Sequence, residues 1–269
     1  MDTTSFTHTT LPVVGKTVHR LGLGPNYGID EAGVEWALDE GGLQYVFWSP
    51  RMKGATGPLR RALARDRERY VVATGPTTAW WSGGLAKAAD AARRALDVDT
   101  LDVFQLFWMG KTSRWTPAIE EELMGLRERG VVRSVGISIH DRQRAAELAQ
   151  STALDLLMIR YNAAHPGAEK DIFPHLTAGR HAVVAYTATS WRQLLRRPKA
   201  WEGAVPTAGD CYRFCLSSPH VHVVLTAPKT HEQLRENVRA LDRGPLSDDE
   251  MAWMREMGGM AERRWFDWL

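Results

Sequence analysis

Only two cysteines occur in 269 residues, Cys211 and Cys215. They stand four apart in a helical pattern, match no zinc-ligand spacing and cannot form a disulfide framework. A reducing compartment is expected, the cytoplasm. An excess of one charge is missing too: 34 Lys and Arg face 32 Asp and Glu, for a net charge of +2. The richest basic stretches, Arg60–Arg69 and Arg192–Lys199, read as solvated helix faces, so no nucleic-acid partner is expected. No apolar run approaches the roughly 18 residues of a membrane span. The opening MDTTSFTHTTLPVV lacks the basic-then-apolar order of a secretion signal. Neither membrane nor export is expected. No G-x-G-x-x-G follows the first strand-like run, and no two His or carboxylates show metal spacing. What is present, 44% hydrophobic and 25% charged residues, excludes a collagenous or disordered chain and fits a globular one.

Strand-length apolar runs alternate with amphipathic stretches along the chain. The runs are Val18–Leu23, Leu43–Trp48, Tyr70–Thr74, Val103–Phe107, Ser134–Ile139, Leu156–Arg160, Ala182–Tyr186 and Val221–Leu225. The helical patterns are Asp30–Asp39, Gly57–Ala64, Gly84–Leu96, Pro117–Arg129, Asp141–Gln150, Ala168–Leu176, Thr207–Ser217 and Thr230–Leu241. Asp141 is a candidate N-cap, Gly130 a candidate terminating glycine, and Ser247-Asp-Asp-Glu250 a capping box before a last helix. Eight strand–helix repeats without a linker argue for the α/β class. The expected architecture is a single (β/α)8 TIM barrel over residues 1–269 with an extra C-terminal helix.

In such a barrel chemistry sits where strands end. The strand ends here are rich in tryptophan: Trp48, Trp80, Trp81, Trp108 and Trp115 fall on or just after strands two to four. Large rigid side chains gathered on one rim predict a wide apolar pocket and a small apolar substrate. The stretch from Thr189 to Pro206 is the longest connection without a pattern, and loops of that length tend to be functional.

These strand ends carry a family resemblance. Arg20-Leu-Gly-Leu-Gly24, Leu101-Asp-Val-Phe-Gln-Leu106, Gly130 to Ser138, Arg160-Tyr-Asn162, Val184-Ala-Tyr186 and Pro228-Lys229 leading to Glu236-Asn237 occur in order, and together resemble the aldo/keto reductases. The resemblance spans Arg20 to Leu241. It implies a barrel that binds NADP(H) and reduces carbonyls with an Asp, a Tyr, a Lys and a His. Laid on that pattern, Trp48 falls at the Asp position, Lys53 at the Tyr, Gly75 at the Lys and Phe107 at the His. On the cofactor side it makes Tyr186 the residue that stacks on nicotinamide, and Lys229, Gln233 and Asn237 the residues that hold the adenosine phosphate and adenine. Ser138 is kept beside them, whereas Ile139 and Met158 stand where the family's two carboxamide-binding amides belong. A cation at a helix start also suits phosphate on simple physical grounds.

Phe107 and Gly75 offer no proton or charge, and Trp48 only an indole N–H. Losing one general acid commonly costs about 10²–10⁴ in rate. The leading expectation is therefore that standard reduction is lost and the mouth is reused for non-redox acid/base chemistry, a cyclisation, elimination or isomerisation. The alternative is an NADP(H)-dependent oxidoreductase with a replacement acid, Lys53 or His140. A third reading is a non-catalytic binding protein. Lys53 is expected to be desolvated among Trp48, Trp80 and Phe107, with an exposed loop lysine as the plainer alternative. His140 and His165 follow the fifth and sixth strands and are candidate acids or bases. The expected pocket is lined by Trp48, Trp80, Phe107 and Trp108. Arg160, Asp210 and Cys211 read as structural.

Overall fold

Strands of a parallel barrel are buried on both faces, which is why these runs are continuously apolar rather than alternating. The structure is a computed structural model and describes residues 6–76, 84–110, 113, 115–199 and 201–266. It opens with an antiparallel hairpin, β1 (His8–Thr10) and β2 (Thr17–His19). Eight parallel strands then close into a barrel. They are β3 (Leu21–Leu23), β4 (Tyr45–Phe47), β5 (Val71–Thr74), β6 (Leu101–Met109), β7 (Val132–Ile139), β8 (Leu156–Arg160), β9 (Ala182–Tyr186) and β10 (Val223–Thr226). Strand β10 returns to pair with β3. The helices packed around them are α1 (Glu31–Leu38), α2 (Lys53–Arg65), α3 (Leu85–Leu96), α4 (Pro117–Glu128), α5 (Arg142–Ser151), α6 (Ala168–Asp171), α7 (Ala208–Ser217) and α8 (His231–Ala240). An additional α9 (Asp248–Phe266) follows. No helix among the described residues is long and apolar enough to cross a membrane.

Two apolar layers result. One lies between sheet and helices; the other fills the barrel lumen, where Tyr45, Val71, Val103, Ala182 and Val223 meet Leu11, Val14 and Val18 of the hairpin segment. The hairpin therefore plugs the N-terminal end. A buried charge latches it there: Asp102 takes the Lys16 ammonium at 2.9 Å and the Arg67 guanidinium at 2.9 Å, and accepts the Val72 N–H at 3.0 Å. Of the barrel's two ends the hairpin covers one, and the finishing ends of the strands form the other.

The expected run Val18–Leu23 divides into β2 and β3. The reason is Arg20 between them, whose guanidinium donates to the carbonyls of Phe6, Leu216, Val221 and His222. Helix α2 begins a turn earlier than the pattern predicts and carries Pro58 inside it. The pattern over Ala168–Leu176 divides into α6 and a 3₁₀ turn, Phe173–His175, with Pro174 at its start. The capping signals are realised. Asp141 accepts the Arg144 N–H, Gly130 sits at φ +69°, and Ser247 and Glu250 each accept the other's backbone N–H.

Candidate active site at the barrel mouth

Strand parity decides which side chains reach the lumen. Along β4, Tyr45 and Phe47 point inward and Trp48 points out. Trp48 is 0% exposed in the layer between sheet and helices, and its indole donates to Thr56 of α2 at 3.1 Å. It is packed away from the lumen, which corrects the sequence expectation; Phe47 takes the inward place. The Phe47 and Phe107 rings meet edge to face at 5.2 Å. Gly75 follows β5 so closely against β6 that a Cβ there would stand 1.8 Å from the Gln105 carbonyl oxygen and 3.2 Å from the Phe107 ring.

Strand β6 carries a bulge at this level. Leu106 pairs with Ile137 and Met109 with Ile139, so Phe107 and Trp108 together face Ser138. Bulges re-aim side chains near sites. Here Trp108 takes φ +53° and is 58% exposed on the rim. Trp80 lies outside the described residues. The side chain of Lys53, at the first residue of α2, is exposed. The expected desolvation is absent because α2 starts at the surface, with Lys53 on its outer side.

The polar groups gather over β7, β8 and β9. The Tyr186 hydroxyl lies 3.0 Å from His140 Nδ1 and 3.2 Å from Nε2. Burial, opposed by the Arg160 charge, raises the phenol to about 12, so it keeps its proton. His140 is lowered from its ordinary 6.5 by partial burial and by the Arg160 charge. His165 is pushed down to about 4 by burial and by Arg160 and Arg142. It also meets Asn162 Oδ1 at 3.2 Å, and Asn162 in turn donates to the Thr187 carbonyl. Within the lumen, Ser138 Oγ and Gln105 Oε1 are buried without a hydrogen-bond partner among the described residues. Gln105 Nε2 rests 3.5 Å from the Met158 sulfur. Ile139 packs outward, away from the lumen.

At the end of β10, Thr230 caps α8 by accepting the Gln233 N–H, and Gln233 Oε1 accepts the Lys229 N–H at 2.9 Å. The Lys229 side chain is left exposed beside the helix start. Asn237 is buried, donating to Thr226 Oγ1 at 3.0 Å, where the Tyr212 hydroxyl also converges. It locks α8 to β10. The structure thus brings His140 and Tyr186 together, holds His165 on Asn162 one strand away, and separately joins Lys229 to Gln233, with Asn237 further along the same helix. Gln105 and Arg160 are functional candidates that the sequence alone does not single out. Periodicity does place Gln105 in the lumen, two residues before Phe107, and that is the signal available for it.

With its polar groups at the strand ends the molecule is an α/β barrel of the eight-stranded parallel kind. The chain belongs to the aldo/keto reductase family: the family model matches residues 58–198, just over half of it. No curated protein sequence matches the chain. Among solved structures it is similar to the holo form of an aldo-keto reductase from Bacillus halodurans, with 22% identity and a TM-score of 0.77 over 93% of this chain and 95% of that one. It is also similar to an aldo-keto reductase from Klebsiella pneumoniae in complex with NADPH, with 20% identity and a TM-score of 0.76 over 94% and 95%.

Proposed function

We propose that the chain is an NADP(H)-dependent oxidoreductase in which His140 replaces the family's proton donor. The observation that carries it is the His140–Tyr186 hydrogen bond at the open end of the barrel. The relative solved in complex with NADPH favours this reading over non-redox chemistry. The family's four catalytic positions would then be filled by Trp48, or Phe47 by parity, with Lys53, Gly75 and Phe107.

The residues present fit the cofactor. Exposed Lys229 at the start of α8 suits the adenosine phosphate, by charge and by the free N–H groups of the helix. Buried polar atoms without partners are rare and mark places where one is to be supplied. Ser138 Oγ and Gln105 Oε1 are such atoms, and both can accept from the nicotinamide carboxamide. Gln105 thereby offsets the amides missing at Ile139 and Met158. When bound, NADPH supplies the hydride.

The protein's own part is the proton. Protonated His140 carries an N–H on each ring nitrogen, both near the Tyr186 oxygen; a turn of the ring leaves one on that oxygen and lets the other donate to the carbonyl oxygen of the substrate as it gains charge. Tyr186 anchors the ring. Because the pKa of His140 is lowered, its acid form is abundant only below about 6.5. Reduction should therefore slow as pH rises through that lowered pKa. The test follows NADPH oxidation against a panel of aryl aldehydes and ketones between about pH 5 and 8. His140→Gln should cost about 10² or more in kcat/KM and flatten the profile. A wild type that leaves NADPH unconsumed, or a variant that keeps the rate and the slope, would sink the assignment.

A further inference from the structure

Arg160 ends β8 on the same face as Leu156 and Met158, which lie in the lumen. It pairs across the ladder with Tyr186, and its guanidinium stands 5.9 Å from the centre of the Trp191 ring. A guanidinium carries five N–H donors and keeps its charge at any physiological pH. Among the described residues, none of these donors meets a hydrogen-bond acceptor and no carboxylate pairs with the group. Partial burial disfavours its charge, and the Arg142 charge adds to that. Arg142 is itself paired with Asp171 at 2.6 Å.

Other buried arginines are treated differently. Arg213 is saturated by the carbonyls of Gly244 and Pro245 and by Glu250, and Arg20 by four carbonyls. Their role is structural, and each donor set is spent within the fold. Arg160 is half buried, unspent, and stands at the one open end of the barrel, close enough to disfavour charge on both His140 and His165. A cation held away from water without a counter-charge costs free energy that an incoming anion recovers. The planar fork matches a carboxylate with two parallel hydrogen bonds.

We infer that Arg160 is a specificity residue that receives the carboxylate of an oxo-acid substrate, with the Trp191 ring as the aromatic wall behind the guanidinium. The inference rests on the reading of the mouth as a carbonyl site and adds a charge to the apolar substrate expected from the tryptophans. Trp191, 41% exposed, lies in a segment where Thr187, Ser190, Trp191 and Arg192 all adopt left-handed backbone. Conformations of that kind cluster at ligand clamps.

Phenylglyoxylate and its methyl ester share one ketone and differ in one charge. Calorimetric titration of the full chain in the presence of NADP⁺ compares them without turnover. The wild type should bind the acid about tenfold or more tightly than the ester. Arg160→Met should erase that preference with the melting temperature kept or raised, and Arg160→Lys, with charge but no fork, should keep part of it. Equal binding of acid and ester by the wild type would overturn the inference, as would an unchanged ratio in Arg160→Met. A roughly tenfold loss of NADPH affinity in Arg160→Met with the ratio intact would give the guanidinium to the cofactor's phosphates and overturn it too. If the wild type fails to bind NADPH yet prefers the acid through Arg160, the anion site stands and the oxidoreductase reading alone falls.

Discussion

At the scale of single residues, Gly75 shows how far the mouth has been remodeled by its neighbours. The space that a side chain would need there holds the Gln105 carbonyl oxygen, 1.8 Å from where a Cβ would stand, and backbone cannot step aside as a flexible side chain can. Gly75→Ala should cost about 3 kcal/mol, at the upper end for overpacking, and Gly75→Lys at least as much without restoring a reductase lysine. Urea unfolding of the two variants measures it; an Ala variant as stable as the wild type would mean that β5 and β6 part easily. Residue identity along the strand ends is legible in the sequence, but side-chain direction is not. Trp48 and Phe47 are neighbours of similar character, and only the pleat says that Phe47 enters the lumen. Arg160 escapes a sequence reading for a related reason. A sequence shows a cation, whereas the lack of an acceptor around it is a property of the folded chain.

Whole elements are more legible. Strands β8 and β9 match the predicted runs Leu156–Arg160 and Ala182–Tyr186 end to end, because parallel strands buried on both faces leave an uninterrupted apolar signature. The bulge in β6 leaves none, since inserting one residue changes register and not composition. Helix α9 is announced by its capping box, and the structure adds what the box is tied to. Glu250 joins the buried Arg213 at 2.8 Å and Arg243 at 2.7 Å, and the hydrogen bond from Arg213, ahead of the Ser247 N–H and both charges, holds its carboxyl at about 2. A depressed carboxylate stabilises the fold fully above its ordinary value of 4.5, and that contribution is lost as pH falls toward 2. Glu250→Gln should therefore destabilise by about 1–2 kcal/mol near pH 7. Unfolding curves at about pH 7, 5 and 3.5 should show the gap between variant and wild type narrowing only at the last. A constant gap would mean that shape, not charge, anchors the helix.

For the molecule as a whole, cofactor binding and stability are one equilibrium. NADPH at about a hundred times its Kd should stabilise the fold by about 2.7 kcal/mol, a rise in melting temperature of about 5 °C for a chain of this size. If Lys229→Ala weakens binding about tenfold, the same concentration should give about half that rise. An equal rise in both proteins would leave Lys229 and its loop with a purely structural part. The order of strands bears on the making of the protein as well. The barrel is sealed by β10 against β3, with Arg20 clasping carbonyls on either side of that seam, among them Val221, 201 residues away in the chain. On a ribosome adding roughly 5–20 residues per second, β3 waits on the order of 10–40 s for its partner. Throughout that interval the nascent sheet has two open edges, the usual template for pairing between chains. A translational pause before Val223 prolongs the exposure, and a chain released there keeps both edges for good. Completion of the sheet thus waits on the last strand to leave the tunnel, the same one whose end leads into Lys229 and holds Asn237.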